Sequence, residues 1–119
     1  MLKVIIAGGR DFTNTQYAAD SLVKLVEENM LPDTFTIISG NARGADKVGE
    51  YLAELRDLPL EIYPANWDKY DKSAGYIRNK QMADVADVLV AFWDSKSRGT
   101  MHMINTMKQQ HKPVFVFYY

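Results

Sequence analysis

Residues 35–46 read Phe-Thr-Ile-Ile-Ser-Gly-Asn-Ala-Arg-Gly-Ala-Asp, an apolar run followed by a turn with two glycines and then by a helical pattern. A strand that leads through a glycine turn into a helix exposes free backbone N–H groups, and the helix dipole there favours an anion. Arg43 adds a planar cation that suits phosphate or carboxylate. Taken alone, Gly40 and Gly44 are equally compatible with a tight turn that has no binding role.

The rest of the chain repeats this order of strand, turn and helix. Further apolar runs predict strands at 2–7, 60–63, 88–93 and 114–119, with helical patterns between consecutive strands. Strands that alternate with helices predict an α/β fold with a parallel sheet, helices on both of its faces and right-handed crossovers. Because the chain has 119 residues and no linker segment, we expect a single domain over 1–119.

Local signals predict where the helices begin and end. Thr13 and Gln16 have the spacing of a capping box at the start of the first helix, and the apolar face of the second helix includes Leu55. Residues 64–72 are polar and aromatic and predict a loop, after which Ser73 is expected to cap the third helix. The last strand is apolar and uncharged, so as a sheet edge it needs cover from a helix or a second subunit.

The composition is that of a soluble globular protein, with 47% apolar and 24% charged residues. The formal net charge of −1 argues against a general nucleic-acid surface, although it is compatible with a small arginine cluster in one cleft. With no cysteine and only two histidines, we expect no metal site. We also expect that no cofactor is required. The sequence shows neither a signal peptide nor a membrane span, and we expect a cytoplasmic protein.

Two further glycine turns follow the first and fourth predicted strands. Residues 8–11, Gly-Gly-Arg-Asp, allow close backbone approach to a ligand, and residues 97–100, Ser-Arg-Gly-Thr, begin the last helix with hydroxyl and N–H groups. The alternatives are a surface pair of Arg10 with Asp11 and an ordinary N-cap at Ser97. Because ligands of parallel sheets bind beyond the carboxyl ends of the strands, we expect the three turns to converge on one cleft.

No common nucleotide-binding motif accompanies these turns. Both Gly-x-Gly-x-x-Gly and Gly-Lys-Ser/Thr are absent, which argues against NAD dehydrogenases and P-loop NTPases. Arg78 and Asn79 suit a sugar or phosphate and Trp67 suits stacking on a base, although a solvated Arg78 and a Trp67 that covers the sheet end are equally compatible with the sequence. His102 is expected on the surface rather than as a base. The available carboxylates are Asp11, Asp46, Asp68, Asp71 and Asp94.

Together, these motifs resemble the SLOG superfamily of DprA-like and LOG-like Rossmannoid domains, and especially its small stand-alone YspA-like branch of bacteria and phages. The resemblance rests on residues 8–12 and 39–46, on Trp67 with the helix segment 78–82, and on residues 97–100, and it covers nearly the whole chain. It implies a three-layer α/β/α, Rossmann-like fold with a five-stranded parallel sheet, which we expect in the order 3-2-1-4-5. It also implies a site for a nucleotide-derived ligand.

Members of this superfamily differ in what they do. LOG members are phosphoribohydrolases, other members sense nucleotide signals that include ADP-ribose derivatives, and DprA members bind single-stranded DNA. The LOG motif Pro-Gly-Gly-x-Gly-Thr-x-x-Glu is matched here at Gly99 and Thr100, but its first glycines are not matched and its catalytic Glu falls at Met103. The LOG Arg-Lys pair corresponds to Arg78 and Asn79. The phosphate-holding parts are therefore kept, while the catalytic carboxylate is missing.

We expect a sensor or binding module that holds a nucleotide or nucleotide-derived phosphorylated ligand in the cleft. The alternative is a hydrolase of the N-glycosidic or phosphate-containing bond, with Asp11, Asp46 or Arg78 as catalytic candidates, and the third hypothesis is a single-stranded DNA-binding module. We also expect a homo-oligomer, with neither a membrane nor nucleic acid as partner. The expected ligand-binding residues are Gly8, Gly9, Arg10, Asp11, Ser39, Gly40, Arg43, Gly44, Asp46, Trp67, Arg78, Asn79, Ser97, Gly99 and Thr100.

Overall fold

The computed structural model describes all residues, 1–119, and strands alternate with helices along the chain. The strands are β1 (Lys3–Gly8), β2 (Thr36–Ser39), β3 (Leu60–Ile62), β4 (Val88–Trp93) and β5 (Val114–Tyr118). The helices are α1 (Thr15–Glu27), α2 (Ala45–Leu55), α3 (Trp67–Tyr70), α4 (Ala74–Val85) and α5 (Arg98–Gln109), with a 3-10 turn at Asp71–Ser73. None of the helices combines the length and the apolarity that crossing a membrane requires.

The five strands form one parallel sheet in the order β3-β2-β1-β4-β5, which confirms the predicted fold class and strand order. In the central strand, Ile5 pairs in register with Ile38 of β2 and with Leu89 of β4. The chain runs outward from β1 to β3 and then returns to the other side of β1. Strand order therefore reverses beside β1, which brings the turns after β1, β2 and β4 to the same region of the carboxyl edge.

Side chains of the sheet alternate between two apolar cores, one on each face. On one face, Ile6 packs with Leu22 of α1 and Leu52 of α2. On the other face, Ile5 packs in a cluster with Met103 of α5 and with residues of α4. Because both faces are covered by helices, β1 needs apolar side chains at successive positions, which explains its nearly continuous apolar run.

Two details of α1 and α2 differ from the sequence-based expectation. The residue that caps α1 is Asn14 rather than Thr13, and its side chain accepts a hydrogen bond from the N–H of Tyr17 at 3.0 Å. Asn is at least as good an N-cap as Thr, so Asn14 can replace the preceding Thr13 as the N-cap of α1. Leu55 is exposed rather than buried, because it is the last residue of α2 and the buried face of that helix ends at Ala53.

The predicted loop at 64–72 contains α3 and the start of the 3-10 turn. Asn66 caps α3 by accepting a hydrogen bond from the N–H of Lys69 at 3.1 Å. Ser73 precedes α4 as expected, but its side chain makes no capping hydrogen bond. The reason is that the 3-10 turn already gives Ser73 helical dihedral angles, whereas a capping side chain needs an extended backbone.

The fifth strand is an edge of the sheet and pairs only with β4. Phe117 packs edge-on against Tyr17 of α1, with ring centroids 6.4 Å apart, and Val116 packs against the core on the opposite face. Side chains of the same chain therefore cover both faces of β5, while its outer backbone edge is unpaired. Homo-oligomerisation through this edge stays a prediction.

Candidate functional site

A cavity of about 730 Å³ opens at the carboxyl edge of the sheet, a size typical of small-molecule sites. Its walls come from the turns after β1, β2 and β4 and from α3 to α4, so the three turns converge as the sequence predicts. A second cavity of about 620 Å³ adjoins it. The residues that line both cavities are Arg10, Ala42, Arg43, Trp67 and Arg78.

The turn after β1 is tied to both neighbouring turns by backbone hydrogen bonds. The N–H of Gly9 donates to the carbonyl of Phe92 in β4 at 3.2 Å, and the carbonyl of Gly9 accepts from the N–H of Ala45 in α2 at 3.1 Å. Asp11 accepts a hydrogen bond from the Tyr119 hydroxyl at 2.5 Å. Asp11 is therefore not engaged in a surface ion pair with the preceding arginine.

The turn after β2 approaches the first turn so closely that only glycine fits at one position. Gly44 has φ of +81°, and a Cβ there would lie 2.3 Å from the carbonyl oxygen of Gly9. Ser39 is buried, and its hydroxyl donates to Glu50 Oε2 at 2.7 Å. Ser39 and Gly44 therefore shape the turn without lining the cavity, whereas the exposed Arg43 lines both cavities.

Asp46 lies in the first turn of α2, as the sequence predicts, but it is only 7% exposed. Its Oδ2 accepts a hydrogen bond from the N–H of Ala42 at 3.1 Å. Burial raises the pKa of Asp46 to about 6, because this effect outweighs the hydrogen bond from Ala42 and the nearby charge of Arg78. A carboxyl group that lines the main cavity therefore carries a proton for part of the time near neutral pH.

Arg78 and Asn79 of α4 connect the turn after β2 with the start of α5. Arg78 Nη1 donates to the carbonyl oxygen of Gly40 at 2.5 Å, and Arg78 Nε donates to Asn79 Oδ1 at 3.1 Å. Asn79 Nδ2 in turn donates to the carbonyl of Gly99 at 3.2 Å and lies 3.2 Å from His102 Nδ1. Arg78 is thus held by the protein rather than solvated, and burial lowers its pKa.

The turn after β4 presents unpaired backbone donors. Asp94 Oδ1 accepts the N–H of Ser97 at 2.8 Å, and Ser97 Oγ accepts the N–H of Thr100 at 3.4 Å. Ser97 is thus an N-cap, as one alternative predicts. The N–H groups of Arg98 and Gly99 nevertheless have no acceptor within the chain, and Gly99 lines the cavity. The helix start therefore retains the donors that an anion site needs.

Trp67 is half-exposed where the two cavities adjoin. It is the first residue of α3 and does not belong to either apolar core. Its position is compatible with stacking on a base, which stays a prediction.

Twelve of the fifteen predicted ligand-binding residues line the main cavity, and Gly40 lines the second cavity. Their binding of a ligand stays a prediction. Among the polar and aromatic side chains at or beside the site, Lys72, Tyr76, His102 and Tyr119 are outside the predicted ligand-binding set. Strand order carries a signal for Tyr119, because β5 lies beside β4 and its end therefore reaches the same edge. No local pattern marks the other three. The structure holds no group of three His, Asp or Glu side chains placed to bind a metal ion.

Comparisons with known proteins give one family. A family model described as "YspA, cpYpsA-related SLOG family" matches residues 2–70. The Gene 61 protein of Mycobacterium phage D29 is 31% identical in an alignment over 123 residues, and this alignment covers 98% of this chain and 97% of that protein. The solved structure of DNA processing protein A (DprA) from Streptococcus pneumoniae matches with a TM-score of 0.71 at 18% identity. That match covers 98% of this chain but half of the DprA chain, and it shows a shared fold.

Proposed function

The chain belongs to the YspA, cpYpsA-related SLOG family, and we propose that its cleft binds a nucleotide or a nucleotide-derived phosphorylated ligand, as a sensor or binding module. The observation that carries the proposal is a cluster of three arginines, Arg10, Arg43 and Arg78, which line one cavity without an ion-pair partner. Guanidinium groups that face one cleft repel each other, and a phosphate would relieve this repulsion by accepting their hydrogen bonds.

The cleft also offers more free donors than free acceptors. Its carboxylates are already engaged, Asp11 by the Tyr119 hydroxyl and Asp94 by the N–H of Ser97. The side chains of Arg10 and Arg43 have no hydrogen-bond partner within the chain. A ligand with several acceptor oxygens, such as a phosphate ester, fits this imbalance. The neighbouring Trp67 supports a ligand that carries a base.

Replacing Arg43 with alanine is expected to weaken binding of AMP by at least about tenfold, because a charge-assisted hydrogen bond to phosphate is lost. Isothermal titration calorimetry measures the change. Arg56→Ala is the matched control and is expected to leave the affinity unchanged, since Arg56 directly follows α2, at the end of that helix away from Arg43, and lies outside both cavities. Equal affinities of wild type and Arg43→Ala for AMP would contradict the assigned site.

Native mass spectrometry of freshly purified protein tests the ligand class independently. A co-purified mass that matches a nucleotide would support the proposal and identify the ligand. Failure to bind any nucleoside mono- or diphosphate, together with salt-sensitive binding of single-stranded DNA in a gel shift, would instead favour the nucleic-acid hypothesis.

A hydrolase is the second candidate, and the buried carboxyl group of Asp46 favours it. A carboxyl group with a pKa of about 6 is suited to donate a proton to a leaving base while water attacks the sugar carbon. We expect wild type to release free base from a nucleoside monophosphate and Asp46→Asn to lose at least about 99% of that rate. Chromatography of the reaction products measures both. Absence of turnover of any tightly bound nucleotide by wild type would reject the hydrolase and leave the binding module.

A further inference from the structure

His102 lies outside the cavity but contacts a residue that lines it. Its Nδ1 atom is 3.2 Å from Nδ2 of Asn79, which is itself only 6% exposed. The imidazole ring packs against the ring of Tyr76, with centroids 4.4 Å apart, so two residues of α4 contact this side chain of α5. Another hydrogen bond of Asn79 reaches the arginine cluster directly, because its Oδ1 accepts from Arg78 Nε.

The hydrogen bonds of the Asn79 amide determine the protonation state of His102. Asn79 Oδ1 accepts from Arg78, so the other end of the amide is the NH₂ group, which donates to Gly99 and to His102. A hydrogen bond from this NH₂ group needs a lone pair on His102 Nδ1. The imidazole must therefore be neutral, with its proton on Nε2. A protonated ring would place two donors against each other and expel the amide.

We propose that His102 is a positioning residue of the cleft: its neutral ring orients the Asn79 amide, and the amide holds the Arg78 guanidinium against the carbonyl of Gly40, where it faces the ligand. The part of this inference that concerns the ligand rests on the proposed function. Protonation of His102 then releases Arg78 and weakens anion binding as the pH falls.

The groups around His102 agree with a neutral ring. From α4, Tyr76 and Asn79 contact the ring and the cation of Arg78 lies beyond the amide, while Arg98 is one turn earlier on α5 itself. No carboxylate forms a hydrogen bond or ion pair with the ring. Burial lowers the pKa of His102, which keeps the ring neutral at neutral pH.

Two substitutions of His102 distinguish its role as a hydrogen-bond acceptor for Asn79 from its role in filling space. In His102→Asn, the side-chain oxygen takes the place of Nδ1, so the acceptor is kept and the titration is removed. In His102→Leu, the volume is roughly kept and the acceptor is lost. The control is His111→Asn, because His111 lies after α5, away from the cleft, and has φ of +57°, which Asn tolerates.

Nuclear magnetic resonance of the ligand-free chain tests the network itself. Between pH 8 and 5, the side-chain amide of Asn79 and the Nε–H of Arg78 are expected to shift with the midpoint of the His102 ring in wild type and in His111→Asn. In His102→Asn, the Asn79 signal is expected to stay constant, and any remaining shift of Arg78 reports on Asp46. An Asn79 amide that does not follow the His102 titration in wild type would overturn the proposal, whether or not the protein binds nucleotides.

Calorimetry with AMP tests the consequence for binding. At pH 7.5, His102→Leu is expected to bind AMP about tenfold more weakly than wild type, and His102→Asn within about twofold of wild type. Since the phosphate of AMP titrates near pH 6, the informative quantity is the ratio of dissociation constants, wild type to His102→Asn, at each pH. This ratio is expected to rise as the pH falls. A constant ratio, or equal weakening by both substitutions, would overturn the proposal.

If AMP binds none of these proteins, the proposed function fails for that ligand, and the resonance experiment still decides whether His102 positions Asn79 and Arg78.

Discussion

Replacing Gly44 with alanine is expected to lower the free energy of unfolding by about 3 kcal/mol or more. Two physical effects add here. The backbone of Gly44 has φ of +81° and ψ of −129°, a combination that residues with a Cβ atom rarely adopt. An added Cβ would also lie 2.3 Å from the carbonyl oxygen of Gly9 and 2.6 Å from backbone atoms of Arg10, and neither backbone segment can rotate out of the way as a side chain can.

Chemical denaturation measures the change in stability, and a fall in melting temperature of about 10 °C is expected with it. Gly99→Ala is the matched control, because a Cβ at Gly99 meets no atom within 4 Å and Gly99 lies in the first turn of a helix. That substitution is expected to leave the stability unchanged or slightly raised. Similar stabilities of Gly44→Ala and Gly99→Ala would contradict the close approach of the first two turns.

Replacing Asp46 with asparagine is expected to raise the free energy of unfolding at pH 7.5 by up to about 3 kcal/mol. In the folded chain, the pKa of Asp46 rises from 3.8 to about 6, chiefly because the carboxyl group is buried. At pH 7.5, the group is mostly ionised in both states, and its burial as a charge destabilises the fold. Asparagine has the same shape and can still accept the hydrogen bond from Ala42, but it carries no charge.

The sign of the pH dependence follows from the same values. Between pH 6 and 4, the folded state binds a proton at Asp46 that the unfolded state lacks, so wild type gains stability as the pH falls. The gain in the free energy of unfolding that Asp46→Asn has over wild type is therefore largest above about pH 6 and is lost towards pH 4. Denaturation at pH 7.5, 6.0 and 4.5 measures this trend.

Asp84→Asn is a control for which the expected change in stability at neutral pH is opposite to that of Asp46→Asn. Asp84 is exposed and pairs with Lys80, and the hydrogen bond from Lys80 lowers its pKa. Its substitution is expected to lower stability slightly at neutral pH, and the difference should vanish in acid.

An Asp46→Asn protein that is less stable than wild type at pH 7.5 would show that Asp46 is not a destabilising buried charge. A gain in stability combined with a loss of AMP binding or turnover would instead mark Asp46 as a residue retained for function.

The fold was predictable from the sequence to a large extent, and the site to a smaller extent. Strand order and the edge at which the cleft lies follow from the alternation of apolar runs with helical patterns. The sequence predicts helix boundaries less accurately, as Asn14 and α3 show, because several neighbouring residues can cap a helix and short helices leave a weak pattern. The resemblance to one family, which the comparisons bear out, came from four motifs in the correct order rather than from any single motif.

The sequence by itself determined the parallel sheet and the meeting of three glycine turns at its carboxyl edge, because these depend on local patterns and on general rules of chain connection. Only the tertiary structure decided that Asp46 is buried, that Asn79 joins His102 to Arg78, and that Tyr119 reaches Asp11. Arg78 and Gly40 are 38 positions apart, and Asp11 and Tyr119 are 108 apart. Contacts between such distant residues depend on how helices and strands pack in three dimensions, and no local pattern encodes that packing.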